Sequence, residues 1–264
     1  MHHHLAATPD ALRWGHIDPA ARPALHIRPG DSVTVETLSG GQRNLPPPGS
    51  PHRPLPAHLA AISALTPHLG PHLLTGPIHV EGAEPGDRLV VEIEEIALAQ
   101  DWGWNAVEPG FGLFPDLARA YETLIVPLDR AAGTARLPWG PTVALAPFFG
   151  ILAVAPAPES GTVSSVPPGP FGGNVDCRLF CQGARITFPV FTQGALFHAG
   201  DGHALQGEGE ICDTALETAL TGRFRFTLEK GRAPAAPRPN AALSSPLSAL
   251  TPRSTPPPGK PPAG

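Results

Sequence analysis

Prolines and glycines set the first limit on this chain, making up 36 and 29 of its 264 residues. Proline lacks the amide donor that an α-helix needs, and glycine costs roughly 1 kcal/mol per helical position relative to alanine. Because the two are scattered along nearly the whole length, helical periodicity is interrupted almost everywhere. The expected fold is therefore mainly β, with few short helices. Strands are legible at 24–27, 32–38, 88–96, 142–146, 151–155, 185–191 and 222–229. In 88–96 the alternation from Leu89 to Ile93 puts one face in a core and the other in water. Pro-Gly-Asp precedes two strands, at 29–31 and 85–87, as a turn that launches each. Helix is expected at 56–65 and at 211–219, where Ala215, Leu216 and Ala219 share an apolar side.

Charge then excludes whole classes of partner. Charged residues are 16% of the chain, the net charge is -5, and no basic cluster occurs, so a nucleic-acid surface is not expected. No apolar run approaches the roughly 20 residues needed to span a bilayer, and no signal peptide opens the chain, which implies a soluble, cytoplasmic protein without a membrane partner. Cys177, Cys181 and Cys212 make an odd count and read as buried thiols in a reducing compartment, with metal ligation the lesser option. Residues 39–54 read as a long loop, mobile rather than a lid. From 232 to 264 the chain is Pro/Ala/Ser-rich and is expected to be disordered, which leaves 1–231 as one folded domain. His2, His3 and His4 read as a frayed terminus or a tag remnant.

The densest chemistry lies between Gly200 and Glu210, in Gly-Asp-Gly-His-Ala-Leu-Gln-Gly-Glu-Gly-Glu. On an extended strand Asp201 and His203 point to the same face, so their oxygen and nitrogen donors can close on one cation. That donor set suits Zn²⁺. Glu208 and Glu210 follow a Gly-rich bend and offer a further ligand or a general base.

Six ordered blocks carry a resemblance. They are Thr75-Gly-Pro-Ile-His-Val-Glu-Gly-Ala-Glu-Pro-Gly-Asp87, Asp101-Trp-Gly-Trp-Asn105, Pro147-Phe-Phe-Gly150, Gly172-Gly-Asn-Val-Asp176, Pro189-Val190 with Gly194-Ala-Leu-Phe197, and the stretch 200–210. Together, over roughly residues 10 to 230, the chain resembles the acetamidase/formamidase family. The resemblance implies a β-sandwich-type fold, a divalent metal, and hydrolysis of a short-chain amide, formamide or acetamide, to ammonia and a carboxylate. It also implies a homo-oligomer, taken as a dimer. The family's metal-site motifs fall on Asp176, Asp201 and His203. Such a set holds Zn²⁺ with a position left for water, and the ion acidifies that water and polarises the carbonyl. Glu210, ahead of Glu208 or Glu81, is then the acid that shuttles the proton to the departing nitrogen.

Other amide-cleaving sites lack their parts here. Ser-Ser-Lys and Glu-Lys-Cys sites need a lysine, yet Lys230 and Lys260 are the only two in the chain. No Gly-x-Ser-x-Gly elbow occurs around Ser164-Ser165. His79 reads as a packing residue. Trp102, Trp104, Phe148 and Phe149 read as core aromatics, with an apolar pocket wall as the other option. One departure is expected to matter: members of the family continue past 222–229 with a further α/β segment, whereas this chain enters its Pro-rich stretch as if truncated or read out of frame. The alternative function is a non-catalytic or degenerate metal-binding β-sandwich, cupin-like in its Asp-x-His with a following Glu.

Overall fold

The computed structural model describes residues 1–207 and 209–240. Two large sheets face each other. The first has six strands in the order His2–Leu5, Ser32–Glu36, Leu220–Glu229, Arg88–Leu98, Arg185–Pro189 and Arg238–Asn240. The second runs Thr142–Ala144, Thr134–Arg136, Glu122–Asp129, Trp102–Val107, Leu216–Glu217, Phe197–Leu205, Phe148–Ala153 and Gly172–Asn174. Leu73–Val80 also pairs with Phe197–Leu205 and carries Leu12–Trp14 and Leu25–Ile27 with it.

The core between the sheets follows from alternation. Val33, Val35, Leu89, Val91, Ile93, Phe224 and Phe226 project from the first sheet, and meet Ile78, Val80, Phe149, Leu152 and Phe197 from the second in one buried cluster. Phe197 sits at its centre, edge-on to Phe224 at 5.7 Å and to Phe226 at 5.2 Å between ring centroids. The expected β-sandwich is the fold observed.

The strands read from alternation are present, some with shifted ends: 142–146 is Thr142–Ala144, and 151–155 begins earlier as Phe148–Ala153. Among strands of six residues or more, three escaped the pattern. Leu73–Val80 is buried at seven of its eight positions, so it shows no alternation, and it contains Gly76 and Pro77, which read as a break. Trp102–Val107 and Glu122–Asp129 are the others.

The helix expected at 56–65 forms as Pro56–Ala64. The one at 211–219 does not. Glu210 and Asp213 adopt φ of 39° and 63°, Thr214 bonds the backbone of Ala106 in both directions, and Leu216–Glu217 pairs with two strands. Tertiary pairing overrides an amphipathic stretch too short to stand as a helix alone.

Three further expectations are corrected. His2–Leu5 is no frayed end: it pairs parallel with Ser32–Val35, and Asp31 accepts from the terminal amine and pairs with His3 Nε2 at 2.9 Å. The loop 39–54 is tied down. Asn44 is buried and donates to the Tyr121 hydroxyl at 2.6 Å, and buried His58 of the helix donates to the Gly40 carbonyl at 2.9 Å. The segment expected to be disordered from 232 contributes Arg238–Asn240 to the sheet edge, in register with Arg185–Thr187. An edge position tolerates Pro239, which has no N–H to give. The rest of that expectation, from 241 to 264, lies outside the described residues, as does Glu208.

Candidate metal centre and active site

Two adjacent strands and one register create the site. Phe197–Leu205 runs antiparallel to Phe148–Ala153, with Phe149 opposite Gly202 and Ile151 opposite Gly200, which puts Gly150 across from Asp201. A β-carbon on Gly150 would stand 2.3 Å from Asp201 Oδ2, 2.6 Å from Asp176 Oδ1 and 2.9 Å from His203 Cε1. The missing side chain is thus the space on which two carboxylates and an imidazole converge. Asp176 enters from the turn after Gly172–Asn174, and Glu217 arrives on Leu216–Glu217, directly opposite His203 in register.

His203 is the hub, 1% exposed and edge-on to the Phe148 ring at 4.8 Å. The Gln206 amide nitrogen donates to the Asp176 carbonyl at 3.0 Å, so its oxygen must face His203 Nδ1, at 2.9 Å. Nδ1 therefore donates, and Nε2 is the atom turned to the acids. Around Nε2 stand Asp201 Oδ2 at 3.2 Å, Glu217 Oε1 at 3.4 Å and Asp176 Oδ1 at 3.9 Å. Glu210 Oε1 lies on the other side, 3.9 Å from Nδ1.

Electrostatics makes this arrangement costly for protein groups alone. Burial pushes the Asp176 carboxyl up to about 8, with Asp201 and Glu210 adding to the rise. Burial likewise raises Glu217 well above the ordinary carboxylate range and raises Glu210. Burial would also raise Asp201, but His203 and His72 outweigh it and hold Asp201 low. His203, which burial alone would lower, is held well above its ordinary value by Glu217 and Asp201. Four carboxylates crowd one imidazole, and three of their oxygens, Asp176 Oδ1, Glu210 Oε1 and Glu217 Oε2, are buried without a hydrogen-bond partner. Backbone strain falls on the same residues, since Asp176, Asp201 and Glu210 have φ of 48°, 55° and 39°, a region that costs a non-glycine residue of order 1 kcal/mol or more.

This donor set fits a divalent cation. Orphaned anionic oxygens, one imidazole nitrogen and a glycine-made hollow are what a cation of the zinc type takes up. His203 closes two clusters of ligand-type atoms, each within 4.8 Å: one with Asp201 and Glu217, one with Asp176 and Glu210.

The sequence brought together Asp176, Asp201, His203 and Glu210, and the fold places all four in one cavity of about 430 Å³. Glu81 is not there: it is half-exposed and paired with Arg28 at 3.3 Å. The strand expected around Asp201 and His203 forms, although Asp201 leaves the extended conformation within it. Glu217 was missed because it sat inside the expected helix, and nothing local marked it. Gly150 lay unremarked in the Pro-Phe-Phe-Gly block, and Gln206 three residues past His203. Trp104 lines the cavity, whereas Trp102 is fully buried and Phe149 belongs to the inter-sheet core. His79 packs on His26 at 4.6 Å. The three cysteines are free and half-buried rather than buried, and Cys212 lines the cavity. A wider groove of about 760 Å³ over the six-stranded sheet holds Glu92, Glu94, Arg223 and Arg225; both arginines pair with Glu94, and among the described residues no cluster of ligand-type donors forms in it.

A profile of the acetamidase/formamidase family matches residues 13–162 and 160–253. The chain belongs to the acetamidase/formamidase family. The match runs on to 253, past the point near 230 where the resemblance was expected to end. Among relatives, a formamidase of Methylophilus methylotrophus is 33% identical over 53% of this chain and 47% of its own length. An acetamidase of Mycolicibacterium smegmatis is 29% identical over 53% of this chain and 49% of its own. The chain thus spans about half the length of the curated relatives it matches. A solved structure of a predicted acetamidase/formamidase from Thermoanaerobacter tengcongensis superposes with a TM-score of 0.78 at 28% identity, over 92% of this chain and 74% of that one.

Proposed function

We propose that this cavity hydrolyses a carboxylic amide to the carboxylate and ammonia with the help of a divalent metal, zinc by its donor set. The observation that carries the reading is the gathering of four carboxylates about buried His203 over the hollow at Gly150, three of them with a buried oxygen that has no hydrogen-bond partner. Asp176, Asp201 and His203, joined by Glu217, would hold the ion. A bound ion supplies Lewis acidity, polarising the carbonyl and acidifying water.

The chain's own residues do the rest. Gln206 fixes the imidazole so that Nε2 keeps facing the acids, the orienting role that outer groups play around metal ligands. Glu210 stands on the opposite side of the ring, outside the ligand face, with a carboxyl raised by burial. It is therefore placed to take water's proton and release it again. Water's oxygen joins the acyl carbon, the C–N bond breaks, and Glu210 returns the proton to the nitrogen, which leaves as ammonia. Formamide and acetamide, named for the relatives, are the first substrates to test.

Zinc-loaded protein should release ammonia from these amides and lose that activity to a chelator. His203→Ala should remove metal and turnover together. Glu210→Gln should keep the metal and lose about 10²-fold or more in kcat. No ammonia from any amide by zinc-loaded protein would sink the hydrolase reading and leave a non-catalytic metal binder. Full activity in Glu210→Gln would remove that residue from the mechanism.

A dimer and a cytoplasmic setting belong to the same proposal. Phe111, Leu113, Phe114 and Leu117 are each more than half exposed along one segment, an apolar surface of the kind that subunits cover, and free thiols suit a reducing compartment. Sedimentation across a concentration series tests the dimer, and a single monomeric species at every concentration would refute it.

A further inference from the structure

We propose that the preferred substrate is an amide with a bulky apolar acyl group, an arylacetamide such as phenylacetamide, rather than formamide or acetamide. The inference rests on the amide-hydrolase reading above. Size is the first argument. If each heavy atom takes about a water's share of liquid volume, ~30 Å³, acetamide fills roughly 120 Å³ and phenylacetamide roughly 300 Å³. The cavity offers about 430 Å³.

The wall beside the acids has the chemistry to use that room. Trp104 is the register partner of Glu217 across neighbouring strands, so the indole and the carboxylate lie side by side on one face. Ala106, two residues on, shares that face, and its small side chain leaves the space in front of it open. Phe111 and Tyr121 continue the wall outward.

Two of these rings, Trp104 and Tyr121, are held in place. Trp104 Nε1 donates to Ser39 Oγ at 3.1 Å. Tyr121 accepts from Asn44 at 2.6 Å and carries the Arg43 guanidinium 3.4 Å above its ring. Glu108, a charged residue of the lining, is drawn to Arg43 at 3.6 Å, and the rings beside it present aromatic surface to an uncharged group. Fixed aromatic faces bind a flat apolar ring without an ordering cost, and a two-carbon acyl group would leave them in water.

The test compares kcat/KM for acetamide and phenylacetamide in the zinc-loaded protein. Phenylacetamide should be favoured at least tenfold. Ammonia from acetamide with equal or less from phenylacetamide overturns the size inference and leaves the hydrolase reading standing. Ammonia from neither overturns the hydrolase reading, and a tryptophan-fluorescence titration then decides on the wall: phenylacetamide should act at a tenfold lower concentration than acetamide, and equal potency overturns the inference. Ala106→Leu, confirmed as folded by circular dichroism, should cut the phenylacetamide-to-acetamide ratio at least tenfold. Val166→Phe at the exposed rim should lower the same ratio if Ala106→Leu does not fold, and an unchanged ratio in the folded variant overturns the inference.

Discussion

Gly150 makes the site possible by what it lacks. Its neighbours Phe149 and Ile151 fill cores on either side, while a side chain at 150 itself would occupy the point where Asp176 and Asp201 meet. Gly150→Ala should therefore fold with a melting midpoint close to that of the metal-free parent, yet lose at least tenfold in bound zinc by elemental analysis, with ammonia release falling in step. Stoichiometric zinc in the folded variant would show that the ion is held elsewhere. At this scale the sequence was legible wherever chemistry is local. Asp201 and His203 announce themselves by spacing, and Glu210 by its glycine-rich approach. Glu217 has no such signature, because it becomes a site residue only when Leu216–Glu217 is laid between two strands distant in sequence.

Elements announce themselves when one face meets water. Arg88–Leu98 alternates and was readable; Leu73–Val80 is buried on both faces and was not. The twice-used Pro-Gly-Asp turn was visible as a device, and the structure supplies its reason. In each copy the Asp carboxylate accepts from the backbone N–H three residues earlier, Arg28 at 3.0 Å for Asp31 and Glu84 at 2.9 Å for Asp87, which closes the turn before the strand begins. Asp87 goes further by taking the Gly231 amide at 2.9 Å and the Lys230 ammonium at 2.8 Å, tying the start of Arg88–Leu98 to the end of the strand Leu220–Glu229. Burial pushes this carboxyl up, but Lys230 and the two amides outweigh it and hold it below the usual carboxylate range. A depressed folded value means that the stabilisation is complete above the unfolded value near 4 and is lost as pH falls through the folded one. Asp87→Asn should accordingly cost about 1–2 kcal/mol at pH 7 in urea unfolding. The gap between variant and parent should shrink as pH drops below about 4, and a gap independent of pH would mean that the charge is not what the turn uses.

On the scale of the whole molecule, the acids that distinguish this cavity tie together segments far apart in the chain. Asp176 follows Gly172–Asn174, Asp201 and His203 lie on Phe197–Leu205, and Glu217 reaches in from Leu216–Glu217, with Gly150 beneath them. Carboxylates gathered from these segments repel one another and oppose compaction of the sheet that carries them. A cation seated among them would turn that opposition into a cross-link, and an ion that binds only the folded chain adds its binding free energy to stability. Zinc at a hundred times its dissociation constant should contribute about 2.7 kcal/mol, which for a domain of this size raises the melting midpoint by roughly 5–10 °C. Calorimetry with zinc, and again after a chelator, reads the shift and its reversal. His203→Ala should melt at the same temperature under both conditions, since the hub on which both clusters depend is gone. Equal midpoints for the parent with and without zinc would show that the acids are held by something other than a divalent ion.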